Sequence, residues 1–268
     1  MAEPGLIAPP GGPAEASGGT LIPPGAPRAF HLLAKPTGAV CNLDCTYCFF
    51  LSKEMLYPGS RFRMADDLLE IYLRQLIQAH AHSPEVVVGW QGGEPTMTGL
   101  DFFRRSVELA EALRLPGQRL VYTIQTNGTL IDDEWAAFFA EHGFLVGLSI
   151  DGPQAIHDTY RVNKAGRGSF DKVMAGLAAL QRHGVECNAL TTVHAANERA
   201  GREIYQFLTD ECGARYCSSS PSSSGRRRRC CPLPASAGAK GYGTDPSTSR
   251  TATSSPIGRS RRTASHGS

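Results

Sequence analysis

The sequence predicts an α/β fold built around a parallel sheet, on two observations. Short apolar runs rich in β-branched residues recur between residues 30 and 193, and most end in a polar or glycine-rich loop. Such runs are typical of buried strands. Between them lie longer segments whose apolar residues fall on one helical face. Strands that alternate with helices at this spacing form right-handed βαβ units, so the strands are expected to lie parallel in one sheet.

Five strands can be recognised in chain order. The first is the short apolar run FHLLAKP, residues 30–36, which ends at Pro36. The next four comprise residues 85–93, 118–128, 143–152 and 184–193. A sixth strand is expected to begin around residues 214–216, where another helical segment has just ended.

Five helices are predicted around these strands. Residues 65–81 form the first, whose apolar face comprises Leu69, Leu73, Leu76 and Ile77. The others comprise residues 100–113, 132–143, 169–184 and 198–213. The third begins at capping aspartates, and the last three end at glycines, which is typical of helix termini.

The two ends of the chain differ from this central region. Residues 1–28 contain seven Pro and six Gly without any hydrophobic period, so we expect a disordered leader there. The domain expected to fold comprises residues 29–216. Residues 217–268 are rich in Ser and Arg, and we expect a disordered basic tail. The abrupt loss of pattern just as a strand begins, and the Ser, Arg, Pro, Ala and Gly composition, favour a shifted reading frame over a native tail.

The net charge of +2 hides two opposite regions. Residues 217–268 hold nine Lys or Arg and one Asp, whereas residues 1–216 hold 18 basic and 24 acidic side chains. The body is therefore mildly acidic, and we expect no nucleic-acid partner. No apolar run approaches membrane-spanning length and the N-terminus does not resemble a signal peptide, so we expect a cytoplasmic protein without membrane contact. In that compartment clustered cysteines favour metal binding or catalysis over disulfides.

Three cysteines follow the first strand in CNLDCTYC, residues 41–48, which we call the cysteine loop. Cys41, Cys45 and Cys48 are soft ligands for zinc, copper(I) or iron–sulfur clusters. A closed zinc site needs a fourth ligand, for which His31 and Cys187 are possible, although Cys187 is better explained as a core residue. Three cysteines on a [4Fe–4S] cluster instead leave one iron open. A rival from another class is a non-catalytic zinc module with a basic tail.

Three further loops follow predicted strands: QGGEP, QTNGT and SIDGP, residues 91–95, 125–129 and 149–153. Because ligands bind at the carboxyl ends of parallel strands, we expect these loops and the cysteine loop to meet at one edge of the sheet, which we call the rim. Asn127 is either a polar contact at the rim or a turn former with Gly128.

The C-x3-C-x2-C spacing resembles the radical S-adenosylmethionine (radical SAM) superfamily. The resemblance implies a partial (β/α)6 barrel in which Cys41, Cys45 and Cys48 hold one [4Fe–4S] cluster. It further implies that S-adenosylmethionine binds the open iron and is cleaved to a 5′-deoxyadenosyl radical.

The same resemblance implies roles for other residues of the rim. GGEP matches a strand-end motif that receives the methionine amino group: Gly92 and Gly93 allow close backbone approach, and Glu94 could neutralise the ammonium. Tyr47 matches an aromatic position beside the adenine. Ser149 and Arg161 match positions that contact the ribose and the carboxylate of the cofactor.

Four longer stretches together resemble the anaerobic sulfatase-maturating enzymes: CNLDCTYCFF, WQGGEPTMTG, QTNGTLIDDEWAAFFAEHGFLVGLSIDGPQAIHDTYR and GSFDKV. This resemblance implies oxidation of a Cys or Ser of a sulfatase polypeptide to formylglycine, with a small reducing protein such as flavodoxin or ferredoxin as electron donor. In that reaction the adenosyl radical removes a hydrogen from the β-carbon. A related SPASM-type radical SAM enzyme that matures peptides is the nearest alternative.

The sequence departs from that family after Tyr216. The family continues into a cysteine-rich SPASM domain with two auxiliary [4Fe–4S] clusters, and its catalytic base also lies there. The spacing of Cys212, Cys217, Cys230 and Cys231 does not match that domain, so these cysteines are expected to be incidental and no auxiliary cluster is expected. We therefore expect impaired maturation activity and assign no catalytic residue.

Overall fold

Six strands form one parallel sheet in the same order as they occur in the sequence. The computed structural model describes residues 30–48, 50 and 63–221. The strands are β1 Leu33–Ala34, β2 Glu85–Trp90, β3 Arg119–Thr126, β4 Leu145–Ser149, β5 Cys187–Val193 and β6 Cys217–Pro221. A doubly wound sheet reverses its strand order, whereas this sheet does not. The predicted α/β class is confirmed, and the sequential order is that of a partial (β/α)6 barrel.

Helices connect the strands as predicted. They are α1 Asp66–Ala79, α2 Leu100–Leu113, α3 Asp133–Glu141, α4 Gln154–His157, α5 Phe170–Arg182 and α6 Gly201–Gln206, which continues into a π-helical turn at Phe207–Glu211. A 3-10 turn, Pro95–Thr98, precedes α2. The side chain of Asp132 accepts a hydrogen bond from the Trp135 amide and so caps α3. Within the described part of the chain, no helix is long and apolar enough to cross a membrane.

Two hydrophobic clusters hold the helices against the sheet. The first joins β1–β4 to α1–α3 and α5, and Trp90, Phe103 and Phe139 are completely buried within it. The predicted apolar face of α1 lies in this cluster. The second cluster joins β4 and β5 to α5 and α6, and Leu148 and Ile150 are among its most deeply buried residues. Burial of this apolar surface is the main stabilising contribution to the sheet.

The folded domain was predicted to end at Tyr216, but the next five residues form a strand. The sixth strand, expected to begin at residues 214–216, lies at Cys217–Pro221, within the segment predicted to be disordered. It pairs with β5 from Ala189 opposite Cys217 to Val193 opposite Pro221. Main-chain hydrogen bonding to the open edge of β5 needs no apolar side chains, so a serine-rich segment can continue the sheet.

The other predictions for the two ends lie outside the described residues. These are the disordered leader at residues 1–28, the tail beyond residue 221, and the status of Cys230 and Cys231. Cys212 is described and lies buried in the second cluster, against which Cys217 and Cys187 also pack.

Candidate functional site

The cysteine loop lies at the rim and follows β1 after the short segment 35–40. Its three thiols form no disulfide; Cys45 is buried, whereas Cys41 and Cys48 are half-buried. The loop is anchored to the segment after α4, because the Asp44 and Thr46 amides donate to the Val162 and Tyr160 carbonyls at 2.7 Å and 3.2 Å. Burial raises the pKa of the Cys41 thiol. It also raises the pKa of the Cys45 thiol, to about 12.

The GGEP segment packs its backbone against the chain that leads into the cysteine loop. The Gly93 amide donates to the Gly38 carbonyl and the Glu94 amide to the Val40 carbonyl, both at 2.9 Å. A Cβ on Gly93 would lie 2.0 Å from the Val40 carbonyl oxygen. Gly92 has a φ of 133°, a conformation that side chains disfavour. Both glycines therefore allow the GGEP backbone to lie close to the segment that contains Gly38 and Val40.

Glu94 is completely buried beneath the rim. Its Oε1 accepts hydrogen bonds from the Thr96 amide at 3.1 Å and from the Thr96 and Thr126 hydroxyls at 2.6 Å and 2.7 Å. Its Oε2 accepts from the Asn127 amide at 2.7 Å. Burial raises the pKa of Glu94, and the donors of these hydrogen bonds oppose that effect. The carboxylate thus joins the end of β2 to the end of β3.

The side chain of Asn127 extends from the end of β3 to the cysteine loop. Its Nδ2 donates to Asn42 Oδ1 at 2.8 Å and lies 3.6 Å from Cys41 Sγ. Asn127 also precedes Gly128, whose φ of 75° marks a turn. Of the two roles predicted for this residue, the turn is present, and the polar contact is made with the cysteine loop.

A buried ion pair, Asp151 with Arg161, lies at the end of β4. Arg161 Nε and Nη2 donate to the two carboxylate oxygens of Asp151 at 2.9 Å and 3.2 Å. The Tyr47 hydroxyl donates to Asp151 Oδ2 at 2.6 Å, and the Thr192 amide donates to Oδ1 at 2.9 Å. Burial alone would raise the pKa of Asp151, but the Arg161 guanidinium and the Tyr47 hydroxyl hold that pKa well below its usual range. The carboxylate therefore stays charged and fixes the positions of Tyr47 and Arg161.

His194, directly after β5, completes this group. Its ring stacks on the Tyr47 ring, with centroids 5.5 Å apart, and meets the Tyr160 ring edge-on at 4.5 Å. Its Nε2 lies 3.7 Å from Asp151 Oδ2, which is too long for a hydrogen bond. Both ring nitrogens are buried, and no described atom forms a hydrogen bond with either.

Sequence reasoning named most of the residues that meet here. Cys41, Gly93, Glu94 and Asn127 form one connected group, whereas Tyr47 and Arg161 belong to the group around Asp151. Ser149, at the end of β4, accepts a hydrogen bond from Gln125 at 2.9 Å. His31 is exposed and Cys187 packs against both hydrophobic clusters.

Sequence reasoning missed three residues of the site: Asp151, His194 and Asn42. Each has a local signal, because each is a polar residue directly after a strand or between two of the clustered cysteines. The signal does not reveal the partners, which lie far away in the chain.

Comparison with known proteins identifies the family. The family model described as the radical SAM superfamily matches residues 36–208. The chain belongs to the radical SAM superfamily. The cofactors of this superfamily are a [4Fe–4S] cluster and S-adenosylmethionine, and the match includes the cysteine loop and the three other loops of the rim.

The chain is also similar to individual sulfatase-maturating enzymes. It is 43% identical over 184 residues to a serine-type anaerobic sulfatase-maturating enzyme of Bacteroides thetaiotaomicron, an alignment that covers 68% of this chain and 44% of the relative. It is 38% identical over 185 residues to a cysteine-type enzyme of Clostridium novyi, covering 68% and 48%. The solved structure of native anSMEcpe with bound AdoMet and Kp18Cys peptide matches with a TM-score of 0.66 at 34% identity, covering 71% of this chain and 51% of that one. The chain thus spans about half the length of these relatives.

The residues of the rim fit a three-cysteine cluster. Cys41 Sγ accepts a hydrogen bond from the Leu43 amide at 3.4 Å and lies near Asn127 Nδ2, and such donors are typical around cluster thiolates. Among the described residues, no three His, Cys, Asp or Glu side chains come close enough together to hold a single metal ion.

Proposed function

We propose that this chain is a radical SAM enzyme of the sulfatase-maturating type, which oxidises a Cys or Ser side chain of a sulfatase polypeptide to formylglycine. The proposal rests on one observation: a C-x3-C-x2-C loop whose leading segment, at Gly38 and Val40, is docked on GGEP at the rim of a chain 43% identical to a sulfatase-maturating enzyme. Such a site supplies, when loaded, one-electron cleavage of S-adenosylmethionine and a radical able to remove hydrogen from an unactivated carbon.

The side chains of the rim would hold the cofactors. Cys41, Cys45 and Cys48 would be the cluster ligands. Glu94 would neutralise the methionine ammonium. Pairing an ammonium with a buried carboxylate offsets part of the cost of burying that charge.

Tyr47, Ser149 and Arg161 would line the remainder of the cofactor site. Tyr47 is pre-positioned by its hydrogen bond to Asp151 and by stacking on His194. Arg161 Nε and Nη2 are engaged by Asp151, so a cofactor carboxylate would meet the remaining Nη1. Fixed side chains lower the ordering cost of binding.

The partners are part of the proposal. They are a sulfatase polypeptide and a small reducing protein such as flavodoxin or ferredoxin, with the protein in the cytoplasm. The mildly acidic composition of residues 1–216 supports the absence of a nucleic-acid partner.

The test is anaerobic reconstitution of the full chain with iron and sulfide, followed by incubation with S-adenosylmethionine, a reductant and a sulfatase peptide. Two peptides are compared, one with Cys and one with Ser at the target position, because the relatives include both types. We expect 5′-deoxyadenosine together with the mass loss of formylglycine formation in at least one peptide, the latter at reduced yield because the sequence predicts impaired maturation activity. A Cys45→Ala variant is the matched control and should produce neither.

Each outcome has a distinct meaning. Formation of 5′-deoxyadenosine without oxidation of either peptide would contradict the maturation proposal while leaving the superfamily chemistry intact. A cross-linked peptide without formylglycine would favour the peptide-maturing alternative. Absence of iron from the reconstituted chain would refute the assignment of the three cysteines.

A further inference from the structure

We propose that Asn127 is a positioning residue that donates a hydrogen bond to the Cys41 thiolate and thereby raises the reduction potential of the cluster. The inference rests on the proposed role of Cys41 as a cluster ligand and is independent of the polypeptide substrate. It follows from the orientation of one side-chain amide, from its rigid surroundings and from the response of a cluster to hydrogen bonds at sulfur.

The surrounding hydrogen bonds determine the orientation of the Asn127 amide. Its Oδ1 accepts from the Thr129 amide at 3.0 Å and from the Thr129 hydroxyl at 2.7 Å, which uses both acceptor positions. Nδ2 must therefore face the cysteine loop. One of its hydrogens goes to Asn42 Oδ1 at 2.8 Å, and the other is directed to Cys41 Sγ at 3.6 Å. The reverse orientation would bring two carbonyl oxygens together at Asn42.

This donor is held in place without help from a ligand. Asn42 Nδ2 donates to the Thr129 hydroxyl at 2.8 Å, which closes a ring of hydrogen bonds through Asn127. The Asn127 backbone amide donates to Glu94 Oε2 at 2.7 Å, and the residue is only 7% exposed. All donors and acceptors of the Asn127 side chain thus have partners. Asn127 therefore needs little rearrangement to keep its N–H directed at Cys41 Sγ when that thiolate binds iron.

A hydrogen bond to a cluster sulfur acts on the reduction potential. When the cluster accepts one electron from an external reductant, the negative charge on its thiolate ligands increases. An N–H donor stabilises the more negative state more strongly and so raises the potential. Cys41 receives such a bond from the Leu43 amide as well, at 3.4 Å. The Leu43 donor is a backbone amide and stays when the side chain is changed. The Asn127 donor belongs to the side chain, so a substitution can remove it.

The test compares midpoint reduction potentials in redox titrations of the reconstituted full chain, followed by the electron paramagnetic resonance signal of the reduced cluster. Asn127→Leu removes the donor with little change in size, and Asn127→Ala removes it without an apolar replacement. We expect both variants to have a lower midpoint potential than the wild type at equal iron and sulfide content.

Thr129→Val is the matched control. It removes the hydroxyl from the same ring but leaves both Nδ2 contacts and the Thr129 amide contact of Asn127. Its potential should equal that of the wild type.

Three results would overturn the inference. These are unchanged potentials in the Asn127 variants, an equal shift in Thr129→Val, or failure of both Asn127 variants to bind a cluster that Thr129→Val binds. The last result would assign Asn127 to cluster assembly instead of tuning. Unchanged iron content in a Cys41→Ala variant would instead refute the ligand assignment on which the proposed function depends.

Discussion

The carboxylate of Asp151 accepts hydrogen bonds from three separate parts of the chain. They come from Tyr47 in the cysteine loop, from Arg161 after α4 and from the Thr192 amide on β5. The side chains of Asp151 and Arg161 are 0% and 8% exposed, so both charges have lost nearly all their water. Removal of one charge from a buried pair leaves the other uncompensated, which costs far more than loss of an exposed pair.

Asp151→Asn is therefore expected to lower the free energy of unfolding by about 3 kcal/mol or more. The substitution keeps the shape of the side chain but leaves Arg161 without a negative partner. The measurement is urea unfolding of the variant and the wild type at neutral pH. Asp133→Asn is the control, since Asp133 forms an exposed pair with Arg182 and its loss should leave the midpoint nearly unchanged. Equal midpoints for the wild type and Asp151→Asn would contradict this account.

At the scale of elements, the segment after β2 docks on the chain that precedes the cysteines. The contact depends on Gly93, because a Cβ there would overlap the Val40 carbonyl group. Backbone atoms cannot move aside as the end of a flexible side chain can, so the two segments would have to separate. The Glu94 amide also donates to Val40, and that hydrogen bond would be strained by the same movement.

Gly93→Ala is expected to lower the free energy of unfolding by more than about 1 kcal/mol and to reduce the iron content after reconstitution. Gly201→Ala is the matched control. Gly201 begins α6, and a Cβ at that position would have no neighbour within 4 Å. The control should be as stable as the wild type or slightly more stable, because alanine favours helix. Full iron loading of Gly93→Ala would show that the two segments can separate without loss of the site.

The elements that could be predicted from sequence are those with a strong local pattern. β2–β5 are apolar runs that end in polar or glycine-rich loops, and α1–α3 are predicted helical segments; the structure confirms them. α4 was missed because its four residues, Gln154–His157, are too few to show a period. β6 begins at Cys217, directly after the residues around which it was expected, and main-chain pairing with the open edge of β5 continues it through a serine-rich segment.

The candidate site was predictable to the extent that it consists of short motifs. The cysteine loop, GGEP and the residue Asn127 were recognised from spacing and position in the chain. The partners of Asp151 were not, since Tyr47 lies 104 residues away in sequence and only the fold brings the two together. The same holds for His194, whose stacking on Tyr47 has no local signature.

At the scale of the whole molecule, sequential strand order brings the ends of five strands to one rim. The loop after each strand thereby contributes one group: the cysteines after β1, Glu94 after β2, Asn127 after β3, Asp151 after β4 and His194 after β5. Each group contacts at least one neighbouring loop through hydrogen bonds or ring stacking. The stability of the molecule and the geometry of the site are therefore coupled.

One buried histidine couples the stability of the whole molecule to pH. His157 is completely buried; its Nδ1 accepts from the Asp151 amide at 3.3 Å and its Nε2 lies 3.1 Å from the Ser169 hydroxyl oxygen. Ser169 donates its own hydrogen to the Arg161 carbonyl, so the hydrogen between His157 and Ser169 belongs to Nε2. His157 is therefore neutral, and protonation of Nδ1 would set it against an amide donor.

Burial and the nearby Arg161 guanidinium lower the pKa of His157 to about 4, against the partial opposing effect of the Asp151 and Asp158 carboxylates. In the unfolded chain the pKa returns to about 6.5. Between these values the unfolded state binds the proton and the folded state does not, so stability falls as the pH is lowered through this window. The loss is expected to reach about 3 kcal/mol by pH 4.

A His157→Asn variant keeps an acceptor for the Asp151 amide but cannot titrate. Urea unfolding of both proteins between pH 7 and pH 4 should therefore show a steeper fall in the wild type, and parallel curves would mean that His157 is as easily protonated in the folded protein as in the unfolded chain.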